Sequence, residues 1–427
     1  MRTSIHKHIA DPAAFKHQML TWSQSFREII FLDSNNNSGE YQDFDMLLAV
    51  DAFTSIKTDY HNAFEDLKQY QQTTADWIFG YLAYDLKNDL EILQSDNFDG
   101  LGFPDLFFFQ PKKIFILKGN QLEIKYLNLC DDETDEDFDA ISGTHQSTTI
   151  YPKINISQRI SKEAYVAKIN SMLEYIHRGD IYEANFCMEF FAENAVIDPL
   201  DCFLKLNTIS RPPFAVFFKA GHHFLLSASP ERYLKKESDR LVSQPIKGTA
   251  ARYENAVADE KSKFNLSTDI KERSENIMIT DLVRNDLSRT AQKGTVAVEE
   301  LCGVYSFLQV HHMISTITSR LDPNCTPVDA LKTTFPMGSM TGAPKISAMQ
   351  IIETLEETKR GLYSGAIGYF TPDGDFDFNV VIRSILYNRE SKYVSFSVGS
   401  AITSLSIPEK EYEECLLKAK AMYEVLG

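Results

Sequence analysis

The stretch Gly365-Ala-Ile-Gly-Tyr-Phe-Thr-Pro-Asp-Gly-Asp-Phe-Asp-Phe-Asn-Val-Val-Ile-Arg-Ser384 contains two apolar runs separated by a turn sequence. The runs cover residues 365–370 and 376–386, and Pro372-Asp-Gly374 between them favours a tight turn. A connection this short joins antiparallel strands, because parallel strands need a long crossover. The stretch therefore predicts a pair of antiparallel strands.

Outward from this pair, strands and helices are intermixed without a regular βαβ rhythm. Apolar and β-branched runs predict further strands at residues 215–218, 224–228 and 393–398. Helical periodicity predicts helices over residues 162–178, 269–289, 344–359 and 408–426. We therefore predict an α/β protein of the α+β type, with antiparallel sheets and helices outside them.

Composition argues against several classes of function. The 427 residues are 43% hydrophobic and 24% charged, which is ordinary globular usage. A net charge of −17 argues against a nucleic-acid partner, because no basic field attracts phosphate. No apolar run reaches membrane-spanning length, and the six scattered cysteines form no C-x-x-C pair. We expect a cytoplasmic protein with reduced thiols and no membrane partner.

One segment has the composition of an exposed connection. It consists of the acidic residues 131–137 and the polar residues 142–149. It predicts an N-terminal region, residues 1–150, and a second region, residues 151–427. The segments with candidate catalytic residues lie in the second region.

Two predicted helices carry glutamates three residues apart. Glu272 and Glu275 share one face of the first helix, and Glu411 and Glu414 follow the start of the second. Glutamates in a first helical turn are also explained by the helix dipole alone. The alternative is that the two pairs jointly hold Mg²⁺, which prefers a few carboxylates, water and substrate oxygens.

Lys247 and Arg383 are candidate partners for an anionic substrate. Lys247, in Ser243-Gln-Pro-Ile-Lys-Gly-Thr249, lies sixteen positions after Glu231. Arg383 lies in a predicted strand on the same face as Val381 and Ile385, so we expect it to be partly buried and paired with an anion. Together these groups indicate an enzyme that acts on a small anion.

Eight segments together resemble the chorismate-utilising family, which includes aminodeoxychorismate synthase component I, anthranilate synthase component I, and isochorismate and salicylate synthases. They occur in the family's order over residues 160–425. The segments are Ser229-Pro-Glu-Arg232, Pro245-Ile-Lys-Gly-Thr249, Lys271-Glu-Arg-Ser-Glu275, Asp281-Leu-Val-Arg-Asn-Asp-Leu287, His312-Met-Ile-Ser315, Thr341-Gly-Ala-Pro-Lys345, Ile382-Arg-Ser384 and Pro408-Glu-Lys-Glu-Tyr-Glu-Glu414.

The resemblance implies a large sandwich of two antiparallel sheets flanked by helices, and an enzyme that uses chorismate and Mg²⁺. A lysine in Pro-Ile-Lys-Gly-Thr is similar to the aminodeoxychorismate branch, whereas the anthranilate branch typically has alanine there. That branch aminates chorismate at C4 with ammonia, giving 4-amino-4-deoxychorismate for 4-aminobenzoate and folate synthesis. No cysteine has Gly-x-Cys-x-Gly surroundings, so the ammonia is expected from a glutamine amidotransferase partner or from solution.

The same resemblance assigns the catalytic roles. Lys247 would attack C2 of the ring as a neutral amine, which requires a lowered pKa. Glu231 would protonate the departing hydroxyl, which requires a raised pKa.

The resemblance also implies a metal site and a substrate pocket. Glu275 and Glu414 would hold Mg²⁺ most directly, with Glu272 and Glu411 in support. The implied substrate-binding residues are Gly248, Thr249, His312, Thr341, Tyr369, Arg383, Gly399 and Lys418.

The chain departs from the family's usual residues at four positions, and two other functions stay open. Glu183 stands where glutamine or, in isochorismate-type relatives, a catalytic lysine is common; the other departures are Asn276, Met337 and Ala401. The other functions are anthranilate synthase component I and a non-catalytic chorismate-binding subunit. Leu32-Asp-Ser34 and Pro212-Pro-Phe214 resemble the lining of a tryptophan pocket in some relatives, and an ordinary core turn explains them equally well.

Overall fold

The computed structural model describes residues 1–37, 39–144, 153–308 and 310–427, which form twenty strands and eleven α-helices. The strands are β1 (Arg2–His8), β2 (Glu28–Asp33), β3 (Met46–Thr58), β4 (Ile78–Leu82), β5 (Leu106–Lys118), β6 (Gln121–Leu127), β7 (Ser157–Gln158), β8 (Glu183–Ala192), β9 (Phe214–Ala220), β10 (His223–Ser229), β11 (Arg232–Glu237), β12 (Arg240–Gln244), β13 (Ile246–Ala251), β14 (Ala297–Ser306), β15 (Val310–Arg320), β16 (Gly342–Ala343), β17 (Ala366–Phe370), β18 (Phe376–Val380), β19 (Ser384–Asn388) and β20 (Tyr393–Thr403).

The helices are α1 (Pro12–Ser23), α2 (Ala63–Thr74), α3 (Lys87–Leu90), α4 (Thr134–Ser142), α5 (Lys162–Arg178), α6 (Pro199–Ser210), α7 (Ala256–Thr268), α8 (Ile270–Ser288), α9 (Pro327–Thr334), α10 (Lys345–Leu355) and α11 (Pro408–Leu426). Short 3₁₀ segments cover Tyr84–Leu86, Asp131–Glu133 and Gly338–Met340. Among the described helices, none combines the length and apolar character needed to cross a membrane.

The strand ladders are antiparallel and form two sheets that share the long strands β3 and β5. One edge of β5 pairs with β3, while its other edge pairs with β4 at one end and β6 at the other. The first sheet has the order β1-β6-β5-β3-β2-β9-β10-β19-β20-β8. The second continues β4-β17-β18-β11-β12-β15, with β13 and β14 on the two edges of β15. The predicted fold class is confirmed.

The central strands of the first sheet, such as β2, β9 and β10, are buried on both faces. On β2, Ile29 and Phe31 belong to one hydrophobic cluster, whereas Ile30 and Leu32 belong to another. The first cluster includes residues of α5 and α11, and the second includes residues of the second sheet, α8 and α9. Because both faces are covered, these strands are continuously apolar and do not alternate with polar residues.

Helix boundaries follow local chemistry. The Ser161 side chain accepts a hydrogen bond from the backbone of Ala164 at the start of α5, and Gly179 ends that helix at a φ of 86°. Pro408 occupies the first turn of α11, where its missing N–H costs nothing. The sequence therefore predicts the bounds of α5 and α11 correctly.

The regions on either side of residue 150 share both sheets. β2 pairs with β9, and β4 pairs with β17. The proposed boundary and the polar residues 145–149 lie outside the described residues. The acidic residues 131–137 are mostly exposed, as expected, but they are helical and not an irregular connection. The physical reason is Lys113, which is buried and needs the carboxylates of Glu133 and Asp137 as ion-pair partners.

The predicted strand over residues 376–386 is interrupted. β18 ends at Val380 and β19 begins at Ser384, with Arg383 between them at a φ of 53°. The prediction that Arg383 lies in a regular strand is therefore wrong. An apolar pattern does not reveal a left-handed residue, whose strain of about 1–3 kcal/mol is offset by its surroundings.

A glycine in the second sheet permits the close approach of β17 and β18. A Cβ atom on Gly368 would lie 2.0 Å from the carbonyl oxygen of Asp377. We expect Gly368→Ala to lower the free energy of unfolding by about 1–3 kcal/mol or more, because the strands must separate. Urea denaturation measures this, with Gly143→Ala as a control, since a Cβ there makes only an ordinary contact at 3.5 Å. Equal stability of the two variants would contradict the expectation.

Candidate active site

The site lies where α8 packs against β13 and β15. Asn276 on α8 fastens these elements together: its Nδ2 donates to the carbonyl oxygens of Lys247 and Met313, both at 3.2 Å. Its Oδ1 accepts from the hydroxyl of Ser315. Asn276 thus fixes the backbone that carries Lys247, and this departure from the family's usual histidine leaves no gap.

Lys247 forms a buried ion pair with Glu183. Its Nζ donates to Glu183 Oε1 at 2.7 Å, and the two side chains are 11% and 1% exposed. Burial lowers the pKa of Lys247, but the charges of Glu183 and Glu275 outweigh burial, so its pKa is raised. We expected the surroundings to lower the pKa of Lys247, and without bound substrate or metal they raise it. The reason is the number of carboxylates around the amine.

Glu231 is a buried acid held by one hydroxyl. Ser339 donates to its Oε1 at 2.7 Å. Burial raises the pKa of Glu231 to about 7, although Ser339 and the charge of Lys247 oppose the shift. The carboxyl group can therefore be protonated near neutral pH and give up a proton, as a general acid requires.

The four predicted metal-binding glutamates come together around Lys271. Its Nζ lies 3.7 Å from Glu275 Oε1 and 3.6 Å from Glu411 Oε1. Burial is the largest cause of the raised pKa of Glu275, about 7, and of the raised pKa of Glu272. This crowd of carboxylates accounts for the raised pKa of Lys271, against the effect of burial.

The glutamate cluster has oxygen donors of the type that Mg²⁺ prefers. Glu275 Oε1 is buried and has no hydrogen-bond partner among the described residues. In that part of the chain, no group of three or more His, Cys, Asp or Glu side chains is arranged to hold a metal ion. The donor set fits a hard divalent cation, while Lys271 now compensates the charge.

Three groups form a region suited to carboxylates. Arg383 makes no side-chain hydrogen bond or ion pair with the described residues, and burial lowers its pKa. Lys418 Nζ lies 2.7 Å from Glu414 Oε1 and donates to the Gly399 carbonyl at 2.8 Å. Burial lowers the pKa of His312 to about 3, with Arg383 and Lys418 adding to the effect, so its imidazole is neutral.

Backbone close to Lys247 is shaped by glycine. Gly248 has a φ of 101°, and a Cβ there would lie 3.1 Å from Glu272 Oε2. Thr249 Oγ1 lies 3.0 Å from His312 Nδ1. A Cβ on Gly399 would lie 2.7 Å from Cys187 Sγ. Thr341 is buried, and its hydroxyl bonds the Met337 and Gly338 carbonyls.

The structure does not bring Tyr369 into this group. Its ring lies against Phe44, Trp77 and Phe79, at centroid distances of 5.9, 5.5 and 5.8 Å. Tyr363 is close enough for its charge to act on Arg383. The assignment of Tyr369 to the substrate pocket therefore needs correction, because the strand carries its side chain toward an aromatic cluster.

Three residues of the site are missing from the sequence-based prediction. They are Lys271 among the glutamates, Ser339 on Glu231, and Tyr363 beside Arg383. Lys271 adjoins Glu272 in the first turn of α8, so its position in the sequence could have marked it as a residue of the site. Ser339 follows Gly338, and Tyr363 lies between Leu362 and Ser364, and no periodicity marks either residue as functional.

Comparison with known proteins places the chain in one family. A family model described as chorismate binding enzyme matches residues 27–424. The chain is 35% identical over 356 residues to an anthranilate synthase component I-like protein of Synechocystis, covering 82% of this chain and 72% of that protein. It is 38% identical over 267 residues to aminodeoxychorismate synthase component 1 of Escherichia coli, covering 62% and 58%.

A solved structure has the same fold. Anthranilate synthase component I from Streptococcus pneumoniae gives a TM-score of 0.78 at 24% identity, covering 91% of this chain and 95% of that one. The match extends over both regions of this chain. The chain spans less than half the length of two plant aminodeoxychorismate synthases that it matches, 46% and 41%.

The raised pKa of Glu231 predicts a pH dependence of stability. Its ordinary pKa is 4.5, and in the folded protein it is about 7. Between these values the unfolded chain releases the proton while the folded protein keeps it, so the free energy of unfolding falls as pH rises. We expect Glu231→Gln to gain about 1–3 kcal/mol relative to the parent between pH 5 and pH 8.

Urea denaturation at both pH values measures this gain. Glu193→Gln is the matched control, because Glu193 is exposed. A stability difference between Glu231→Gln and the parent that is the same at pH 5 and pH 8 would contradict the prediction.

Proposed function

The chain belongs to the family of chorismate binding enzymes, and from this premise we propose that it aminates chorismate at C4 with ammonia, giving 4-amino-4-deoxychorismate. The observation that carries the proposal is Lys247, a buried primary amine beside an acid that can be protonated, Glu231. The resemblance places alanine there in the anthranilate branch, which lacks such a nucleophile. Relatives named for both reactions match the chain, and Lys247 is the feature that favours amination at C4.

The cationic region fits the substrate. Chorismate carries two carboxylates, and Arg383 forms no side-chain ion pair with the described residues, although the charge of Glu414 acts on it. A guanidinium in this state is suited to bidentate binding of a carboxylate. Lys418 adds a second cation, and neutral His312 adds a hydrogen-bonding group without further charge.

The first chemical step joins Lys247 to the ring. The neutral Nζ bonds to C2, the electron pairs of the conjugated ring shift, and the bond between C4 and its hydroxyl breaks. Glu231 gives its proton to the departing oxygen, so the product of this step is water. In the second step ammonia bonds to C4, and the electron pair of the bond between Nζ and C2 returns to Lys247.

Lys247 must lose a proton to solvent before it attacks. Carboxylates raise its pKa in the protein alone, so the reaction requires that their negative potential be reduced. We propose that Glu272, Glu275, Glu411 and Glu414 hold Mg²⁺. The hard donor set supports this, as does Glu275 Oε1, which is buried without a hydrogen-bond partner among the described residues. When bound, the ion supplies positive charge that favours the neutral amine and attracts the ring carboxylate.

A partner is expected to supply the ammonia. No cysteine in the sequence has the surroundings of a glutaminase nucleophile, and the E. coli relative is named as component 1 of its enzyme. We propose that a glutamine amidotransferase subunit delivers ammonia to this chain. High ammonium concentrations would replace that partner in solution.

Product identification tests the proposed reaction. With chorismate, Mg²⁺ and ammonium, we expect a product of the mass of aminodeoxychorismate. Lys247→Ala should lower kcat/KM by at least about 100-fold, because the covalent route is lost. Lys247→Arg is the control that keeps the charge without the nucleophile, and it should be equally impaired.

Other products would lead to other conclusions. Anthranilate would assign the chain to the tryptophan branch. Isochorismate or salicylate would give Lys247 another role. Binding of chorismate and Mg²⁺ without turnover, even with saturating ammonium, would support a non-catalytic subunit.

Metal binding has a test that does not depend on activity. We expect Mg²⁺ to raise the melting temperature at neutral pH, because the ion binds the folded glutamate cluster and not the unfolded chain. Glu275→Gln should weaken Mg²⁺ binding by roughly tenfold or more in a titration followed by Tm, since it removes one charged ligand. Glu163→Gln, at an exposed glutamate, is the control. A Tm independent of Mg²⁺ would contradict the proposed metal site.

A further inference from the structure

Glu183 is held on both sides by backbone. It begins β8, where it pairs with Thr403 of β20 and with Ala343 of β16. Gly342 permits the second contact, because a Cβ there would lie 2.2 Å from the Glu183 carbonyl oxygen. The backbone of Glu183 therefore has little freedom to move away from Lys247.

The two oxygens of this carboxylate have different surroundings. Oε1 accepts the hydrogen bond from Lys247 Nζ at 2.7 Å. Oε2 is buried and has no hydrogen-bond partner among the described residues. A buried, unpaired carboxylate oxygen is costly, so it calls for a donor that the protein does not supply.

The charge around Oε2 favours a cationic donor. The charges of Glu183 and Glu275 both act on Lys247, so two carboxylates face the one ammonium group at this position. An ammonium ion carries four N–H donors and a single positive charge. It satisfies the oxygen through a charge-assisted hydrogen bond and reduces the excess of negative charge.

We propose that Glu183 forms the ammonium-binding site of the enzyme, with Oε2 bonding the incoming nitrogen and Oε1 holding Lys247. The inference rests on the proposed amination of chorismate and names the residue that receives its second substrate. The carboxylate of Glu183 would then contact both Lys247 Nζ, which leaves C2, and the ammonium nitrogen, which bonds to C4. The resemblance places a lysine here in isochorismate-type relatives, and the opposite charge of Glu183 attracts ammonium.

The proton balance of the second step is consistent with this role. The ammonium ion gives one proton to Glu183 and becomes ammonia, which bonds to C4 as the bond between C2 and Lys247 Nζ breaks. The departing amine then takes the proton from Glu183, which restores the ion pair. Glu231 regains a proton from solvent, equal to the one that Lys247 released before its attack.

The test is the dependence of rate on ammonium concentration, at saturating chorismate and Mg²⁺. We expect Glu183→Gln to raise the KM for ammonium roughly tenfold to a hundredfold, because a charge-assisted bond is lost. The KM for chorismate should change less than about twofold. Glu183→Asp keeps the charge and should recover part of the loss.

Glu189→Gln is the matched control. Glu189 lies on the same strand and is also buried, but it pairs with Arg159 and Tyr393 away from Lys247. Its ammonium KM should equal that of the parent. Far-UV circular dichroism and Tm show whether each variant folds, and Glu183→Asp serves as the second reading if Glu183→Gln does not.

Two outcomes would overturn the inference without touching the proposed reaction. One is aminated product from Glu183→Gln at an unchanged ammonium KM. The other is an unchanged ammonium KM together with a weakened Mg²⁺ affinity, which would make Glu183 a metal ligand. If the parent protein makes no aminated product at saturating ammonium, the proposed function itself fails, and the inference fails with it.

Discussion

The site depends on charge compensation among carboxylates that the fold has gathered in one place. Lys247 forms an ion pair with Glu183, and Lys271 forms ion pairs with glutamates of α8 and α11. Each lysine has a raised pKa because its carboxylate neighbours outweigh burial. Burial raises the pKa of Glu231 and of Glu275 to about 7, so these carboxyl groups take up protons near neutral pH. The protonation of these groups therefore depends on any cation or anion that enters the site.

Rigid backbone holds these charges at fixed positions. Gly248 and Gly342 occur where a side chain would collide with Glu272 or with the start of β8. Arg383 adopts a left-handed backbone conformation between β18 and β19, so it belongs to neither strand. Asn276 fastens the helix that carries two glutamates to the strand that carries the lysine. Catalytic groups on such supports need little reorganisation when substrate binds.

Much of the site was predictable, because motifs name residues even when their surroundings are unknown. The glutamates of α8 and α11 come together around Lys271, as the resemblance implied, and Glu231 has a raised pKa, as its proposed role requires. Tyr369 was misplaced because two tyrosines flank Gly365 and Gly368, and only the strand geometry shows which of them is near Arg383. The pKa of Lys247 was not predictable, because it depends on the charges of Glu183 on β8, Glu275 on α8 and Glu231 between β10 and β11.

Local features can be read from the amino-acid sequence: the antiparallel pairing around Pro372-Asp-Gly374, the bounds of α5 and α11, and the family motifs. These follow from interactions within a few residues, such as turn chemistry, caps and periodicity. The tertiary structure alone decided that Glu183 meets Lys247, sixty-four positions away, and leaves one buried oxygen without a partner. Such contacts depend on how two sheets and their helices pack, and no local pattern in the chain records that geometry.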